Sequence, residues 1–207
     1  MKFSLRYFIY TTFIDPLVKG LHWEIVRSVS PSDKVIDIGC GPGSLSILLA
    51  GKASHVTGID IDDELLKSAT RKASGKGIVN IDFLNRDATN LSNIGDREFD
   101  VAVTSMTVHQ FEANNAISIL SEMKRIASRV VIADYNYPMP AGFSKWFAWF
   151  IEWLAGGEHY RNFRVYMKKG GLHFFSQKAG LNVVNSIVKG NGVLAVYVIS
   201  YLYNGYR

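Results

Sequence analysis

The sequence predicts an α/β fold in which helices cover both faces of a mainly parallel β-sheet. Two observations predict it. Short apolar runs typical of buried strands alternate with segments of helical periodicity, and a glycine-rich loop joins the first strand to the first helix. Parallel strands need crossover connections, so this alternation favours a sheet that is covered on both sides. The chain of 207 residues is expected to form a single domain spanning 1–207.

Strands and helices are predicted in alternation up to the fifth strand. The strands are runs rich in Val, Ile and Ala over 34–38, 55–59, 78–84, 99–104 and 129–133. The helices show apolar residues at helical spacing over 44–50, 62–73 and 113–127. The 62–73 helix begins with acids and ends with bases, an order that the helix dipole favours.

The alternation breaks after the fifth strand, where residues 137–169 are predicted to form an insert. Prolines open the insert, an aromatic-rich helix is predicted over 143–154, and Gly156-Gly157 follows as a hinge candidate. Three interpretations of the aromatic helix stay open. The rings would pack in the hydrophobic core, line an apolar pocket, or insert into a membrane surface beside nearby lysines.

The remaining segments complete the sheet and add a helical region at the start. A helix and two strands are predicted over 172–179, 181–188 and 193–201. The pair Asn191-Gly192 between these strands is a hairpin signal, so we expect them to be antiparallel. Residues 1–30 are expected to form a helical region on the body of the protein, because no small-residue cleavage site follows the apolar start.

The amino-acid composition limits the classes of protein and of binding site that the chain can form. The chain is 48% hydrophobic and 20% charged, as is usual for a globular protein. One cysteine excludes a disulfide framework and a zinc site built on several thiolates, and we expect no metal site. A net charge of +5 suits an anionic ligand, a nucleic acid, a membrane surface or simply a solvated exterior. The longest uncharged run, 190–206, is too short and too β-branched to span a membrane, so we expect a cytoplasmic location.

The sharpest motif is the loop after the first strand, Val35-Ile-Asp-Ile-Gly-Cys-Gly-Pro-Gly43. Gly39, Gly41 and Gly43 let the backbone turn tightly and approach a ligand closely. Asp37, at the carboxyl end of the strand, can accept a hydrogen bond from an ammonium group. The G-x-G-x-G spacing differs from the G-x-G-x-x-G pattern of dinucleotide sites.

Two further acids follow the next two strands. Asp60 ends the second strand, where a carboxylate can accept both hydroxyls of a ribose. Asp87 follows the third strand and is placed to meet the edge of an adenine. Because the carboxyl ends of parallel strands share one edge of the sheet, these acids and the glycine loop are expected to line one crevice.

In these motifs the sequence resembles the class I S-adenosylmethionine-dependent methyltransferases, from residue 34 to the C-terminus apart from the insert. The glycine loop, Asp60, Asp87-Ala88 and the segment 99–106 fall in the order and spacing of that family. The resemblance implies a three-layer Rossmann-like fold with seven strands in the order 3-2-1-4-5-7-6, strand seven being antiparallel.

The resemblance also implies S-adenosyl-L-methionine as cofactor and a role for each motif. Asp37 and the three loop glycines are expected to hold the methionine part, and Asp60 the ribose. The other implied cofactor contacts are Ile61 on one adenine face, Asp87 and Ala88 at the adenine edge, and Ser105 and Met106 beneath the sulfonium.

The acceptor side offers three candidate catalytic residues. His109 follows the fourth strand, and His159 and Tyr160 lie in the insert, which we expect to cap the acceptor side. Each can exchange protons, and each can instead be structural. Cys40 lies inside the cofactor loop, so methylation of cytosine carbon by a cysteine nucleophile is not expected. Tyr10 and His22 in the N-terminal region are further candidates to cover the site.

The layout resembles that of ubiquinone and menaquinone biosynthesis methyltransferases, which favours a small or amphipathic acceptor. No Asn/Asp-Pro-Pro-Tyr/Phe motif follows the fourth strand, which argues against methylation of base amines and against a nucleic-acid partner. Peripheral membrane contact stays open. The alternatives are an RNA or protein methyltransferase, which the charge alone supports, and a cofactor-binding regulatory subunit without activity.

Overall fold

The computed structural model describes residues 15–200 and contains one seven-stranded sheet, in the order β3-β2-β1-β4-β5-β7-β6. Its strands are β1 Lys34–Ile38, β2 His55–Asp60, β3 Ile81–Asn85, β4 Phe99–Ser105, β5 Ala127–Tyr135, β6 Asn182–Lys189 and β7 Leu194–Ser200. The first five strands run parallel, and β7 pairs antiparallel with both β5 and β6. The predicted fold class and strand order are therefore confirmed.

Helices fill the connections. They are α1 Asp15–Arg27, α2 Ser44–Ala50, α3 Asp63–Gly75, α4 Ala113–Ile126, α5 Phe143–Ala155, α6 Gly157–Lys169 and α7 Leu172–Lys178. The central strands β1, β4 and β5 are buried along almost their whole length, as expected for a sheet covered on both faces. None of these helices within residues 15–200 is both long and apolar enough to cross a bilayer.

Most predicted boundaries agree with the structure to within two residues. β3 begins at Ile81 and not at Ile78, because the Ile78 amide donates to the Ala73 carbonyl and so still belongs to the end of α3. A short 3₁₀ turn over Gly190–Gly192, with Asn191 at a φ of +53°, joins β6 to β7 as the hairpin signal predicts. Tyr10 and Tyr201 lie outside the described residues.

The insert consists of two helices, whereas the sequence analysis predicted only the first. Gly156, at a φ of +69°, separates α5 from α6. The second helix buries Phe163, Tyr166 and Met167, which stand at helical spacing on one face. Asn162 Nδ2 donates to the Gln110 carbonyl at 2.8 Å, which ties α6 to the segment after β4. The insert therefore lies at the carboxyl edge of the sheet.

The aromatic face of α5 is exposed. It consists of five residues with exposed fractions of 75, 60, 37, 37 and 58%, which are Phe143, Trp146, Phe147, Phe150 and Trp153. Trp146 stacks on Phe150 with ring centroids 5.4 Å apart. Of the three interpretations, packing as core is wrong for this face, because only Ala148 and Glu152 of α5 are buried.

Candidate active site

The glycine loop has the backbone conformation that its composition predicts. Gly39, Gly41 and Gly43 have φ of +69°, +53° and +78°, a region that side-chain-bearing residues rarely adopt. A Cβ on Gly39 would lie 2.7 Å from Thr107 Cγ2. The amides of Gly39 and Cys40 both donate to the Ile59 carbonyl at 2.9 Å, so the loop is fixed against the end of β2.

Asp37 is buried beneath this loop, with 1% of its surface exposed. Its Oδ2 accepts a hydrogen bond from the Ser46 hydroxyl at 2.5 Å. Burial raises the Asp37 pKa to about 7, against the opposing effect of the Ser46 hydrogen bond. The carboxyl group thus exchanges its proton near neutral pH, and a cation close by would favour the ionised form.

Asp60 stands at the carboxyl end of β2 and joins the loop to the next helix. Its Oδ2 accepts from the Gly41 amide at 2.8 Å, and its Oδ1 accepts from the Asp62 amide at 3.0 Å. Since each carboxylate oxygen can accept a second hydrogen bond, the group retains acceptor capacity for two hydroxyls. Ile61, directly beside it, is an apolar side chain that is 68% exposed.

Asp87 and Ala88 lie beyond the neighbouring strand. Asp60 is paired with Asn85 in the sheet, so the segment after β3 lies next to the end of β2. Asp87 Oδ1 accepts from both the amide and the hydroxyl of Thr89, which holds the Asp87 pKa below its usual range. The Asp87 side chain is exposed, and Ala88 packs partly against the core.

The end of β4 carries two predicted cofactor residues. Ser105 Oγ is buried and has no hydrogen-bond partner within the described residues. Met106 is a non-glycine residue at a φ of +56°, and its amide still donates to the Ala133 carbonyl at 2.8 Å. Such a backbone is unfavourable for methionine, so the turn that it makes is imposed by its surroundings.

His109 lies at the centre of a buried polar cluster. Its Nδ1 lies 2.6 Å from Asp134 Oδ1, and its Nε2 lies 3.5 Å from Glu152 Oε1. Burial lowers the His109 pKa, but Asp134 and Glu152 outweigh it and raise that pKa to about 10. An imidazolium held between two carboxylates does not serve as a general base near neutral pH, so this arrangement argues against that predicted role.

His159 lies next to His109 in the structure, whereas Tyr160 does not. His159 Nε2 lies 2.7 Å from Glu152 Oε2, and its ring centroid is 5.5 Å from that of His109. Tyr160 instead packs against Trp149, with ring centroids 6.4 Å apart. The catalytic roles of His159 and Tyr160 stay predictions.

Sequence reasoning missed four residues of this region. Ser46 orients Asp37, Asp134 holds His109, and Tyr135 donates its hydroxyl to Glu152 Oε1 at 2.7 Å. A signal existed for Glu152, the only charged residue in the second half of an otherwise apolar, aromatic helix.

Cys40 is buried and burial raises its pKa, in agreement with a role as a small loop residue. His22 is buried in α1.

Comparison with known proteins gives matches in sequence and in fold. A family described as "Methyltransferase domain" matches residues 35–129. A ubiquinone biosynthesis O-methyltransferase of Pseudomonas aeruginosa is 28% identical over 177 residues, 84% of this chain and 74% of that protein.

One further sequence relative and one solved structure of similar fold are of interest. A demethylmenaquinone methyltransferase of Clavibacter sepedonicus is 26% identical over 121 residues, 56% of this chain and 48% of that protein. The crystal structure of a Synechocystis magnesium protoporphyrin IX methyltransferase, with S-adenosylhomocysteine bound, superposes with a TM-score of 0.63. That structure is 17% identical, and the match covers 97% of this chain and 89% of the other.

Proposed function

Since the chain belongs to the class I S-adenosylmethionine-dependent methyltransferases, we propose that it methylates a small, apolar, ring-containing acceptor of the quinol type. The observation that carries the proposal is the insert, whose helix α6 is hydrogen-bonded to the segment after β4 at the carboxyl edge of the sheet. An insert at this edge would cap the acceptor side and would favour a small molecule over a macromolecule. The names of the quinone-pathway relatives support the acceptor class.

The residues present fit S-adenosylmethionine. The three left-handed glycines leave a cradle without side chains, and Ile61 offers an exposed apolar face beside Asp60. Ser105 supplies a buried hydroxyl that has no hydrogen bond to any residue in 15–200. We assign the ribose to Asp60, the adenine face to Ile61, the adenine edge to Asp87 and Ala88, and the methionine part to Asp37 with the loop glycines. Ser105 and Met106 line the floor of the site.

The cofactor, when bound, supplies an electrophilic methyl group. The chain itself positions the cofactor and the acceptor. The loop, the strand ends and the insert hold these two reactants together and exclude water. Such proximity effects are worth up to about 7–11 kcal/mol of a reaction barrier. In the metal-free protein His109 is charged and buried and orients its neighbours, and proton removal from the acceptor falls to His159, Tyr160 or solvent.

A panel of acceptors tests this proposal. Purified protein, S-adenosylmethionine and a series of catechols and hydroquinones, with and without a short prenyl tail, are analysed by mass spectrometry for methylated product. We expect product from tailed quinols and none from adenosine or cytidine. Product from nucleosides but not from quinols would contradict the proposed acceptor class.

Cofactor binding should release a proton at acidic pH. With a pKa of about 7, Asp37 is mostly protonated at pH 6 in the absence of cofactor. The cofactor's ammonium favours the ionised carboxylate, so binding at pH 6 should release up to about one proton per chain. Release should fade above pH 8, where Asp37 is already ionised, and affinity should fall as the pH drops below 7.

Calorimetry at pH 6 in buffers of different ionisation enthalpy measures this release. The Asp37→Asn variant, which keeps the hydrogen bond of Ser46 to an oxygen, is the matched control and should release no proton. Equal release by both proteins would show that Asp37 does not sense the cofactor.

We further propose that the protein is cytoplasmic and that the aromatic face of α5 contacts a membrane surface. Apolar acceptors of the quinol type would be dissolved in that membrane. The face is exposed, and the basic side chains of Lys168 and Lys169 are exposed at the end of the adjoining helix. Aromatic side chains beside lysines are typical of interfacial helices. Trp146→Ser combined with Trp153→Ser should reduce co-sedimentation with anionic vesicles several-fold.

Trp23→Ser is the matched control, because Trp23 is a tryptophan of similar exposure, 47%, on α1. Its binding should equal that of the wild type. If the double variant binds vesicles as well as the wild type does, α5 is not the contact surface.

A further inference from the structure

Three potential metal ligands converge at the junction between the sheet and the insert. They are His109 after β4, Glu152 of α5 and His159 of α6. One ligand atom from each side chain lies within 4.8 Å of the other two. We propose that His109, Glu152 and His159 bind a divalent transition-metal ion of the zinc type. This proposal concerns metal binding alone and does not rest on the proposed methyl acceptor.

One of the measured separations already suits such an ion, and a second, to the other oxygen of Glu152, is shorter. Ligands about 2.0–2.2 Å from a zinc ion in tetrahedral geometry lie about 3.2–3.6 Å from one another. His109 Nε2 and Glu152 Oε1 are 3.5 Å apart. Glu152 Oε2 and His159 Nε2 are 2.7 Å apart, so His159 has to move outward slightly. Because the His159 side chain is 28% exposed and lies at the rim, it has space to do so.

Asp134 supplies the outer partner that metal-binding histidines ordinarily have. Its Oδ1 lies 2.6 Å from His109 Nδ1 and also accepts from the Tyr135 amide at 2.7 Å. A carboxylate at Nδ1 fixes the ring and directs Nε2 towards the cluster, as in carboxylate–histidine–zinc arrangements. His109 is therefore oriented before any ion arrives.

Glu152 is a buried carboxylate, with 4% exposed, whose Oε2 faces His159. His159 Nε2 lies 2.7 Å from that oxygen, so the two groups form an ion pair when no metal is bound. A buried carboxylate needs a cationic partner, and a metal ion between Oε2 and Nε2 would take the place of the proton that links them.

Charge and ligand type select the ion. Two buried carboxylates, Asp134 and Glu152, are neutralised by one divalent cation when both histidines are neutral. Two imidazole nitrogens and one carboxylate favour zinc and its first-row neighbours over Mg²⁺ and Ca²⁺, which prefer oxygen ligands. Three protein ligands leave a fourth position open for water. The competing interpretation is an ion-pair network in which protons take the place of the metal.

Binding of zinc to tag-free, chelator-treated protein decides between the two. We expect one Zn²⁺ per chain by competition with a chromophoric chelator, not displaced by a large excess of Mg²⁺. Zn²⁺ should also raise the Tm. His159→Gln should weaken Zn²⁺ binding by at least the roughly tenfold to hundredfold that loss of an outer-shell partner causes, and should abolish the Tm shift.

Two matched variants complete the test. His173→Gln, which replaces an exposed histidine of α7, should bind Zn²⁺ as the wild type does. His159→Glu, which restores a ligand atom, should recover part of the affinity. Less than one Zn²⁺ per chain at saturation, or equal binding by the wild type and His159→Gln, would overturn the proposal and leave the proton-bound network.

Discussion

Replacing His109 with alanine is expected to lower the free energy of unfolding by about 3–5 kcal/mol, the usual cost of breaking a buried ion pair. The change removes the imidazolium from between two carboxylates that are almost wholly inaccessible, Asp134 at 0% and Glu152 at 4% exposed. Asp134 would be left buried without its cation, and Glu152 would keep only its contact with His159. Chemical denaturation at pH 7 in the presence of a chelator measures the effect.

His173→Ala is the matched control, because His173 is exposed on α7. Its effect should stay within about 0.5 kcal/mol, as for most surface substitutions. His109→Gln, which keeps a donor for Asp134, should cost less than His109→Ala. A loss below about 1 kcal/mol for His109→Ala would mean that the cluster does not depend on a charged His109.

Replacing Asp60 with alanine is expected to raise the Kd for S-adenosylmethionine about a hundredfold or more. Two charge-assisted hydrogen bonds to the ribose are worth roughly 1.5–3 kcal/mol each, and 1.4 kcal/mol is tenfold in affinity. The substitution also releases the Gly41 amide, which Asp60 Oδ2 holds at 2.8 Å, so the loop loses a support. Isothermal titration measures the change.

Asp62→Ala separates a cofactor effect from a structural one. Asp62 lies two residues away and caps α3, where its Oδ1 accepts from the Glu64 and Leu65 amides. Its loss should cost about 1 kcal/mol of stability and leave the Kd almost unchanged. If Asp60→Ala and Asp62→Ala weaken binding equally, Asp60 is not the ribose acceptor.

The sheet was predictable because its central strands are buried on both faces and therefore read as continuous apolar runs. The second insert helix was not predicted, since the polar stretch 158–162 after Gly156 and Gly157 resembles a loop. Its helical signal consists of Phe163, Tyr166 and Met167, and this signal can be recognised only when the burial of these residues is known.

The glycine loop and its acids were predictable because each motif is contiguous or directly follows a strand. The cluster of His109, Asp134, Glu152 and His159 was not, because its members come from four separate elements and meet only in the folded chain. The expectation of no metal site came from the single cysteine, and it stays a prediction that the zinc-binding experiment tests. The aromatic helix was correctly placed, but only the structure shows that its rings face outward.

Methyl incorporation in a cell extract decides whether the protein acts on small molecules and whether Asp60 binds the cofactor. The protein is incubated with S-adenosylmethionine labelled in its methyl group and an extract divided into organic-soluble, protein and RNA fractions. We predict label in the organic-soluble fraction, and a loss of that label when Asp60→Ala replaces the wild type at the same cofactor concentration. Label confined to the RNA or protein fraction, or equal labelling by the variant, would contradict the account of a small-molecule methyltransferase that binds its cofactor through Asp60.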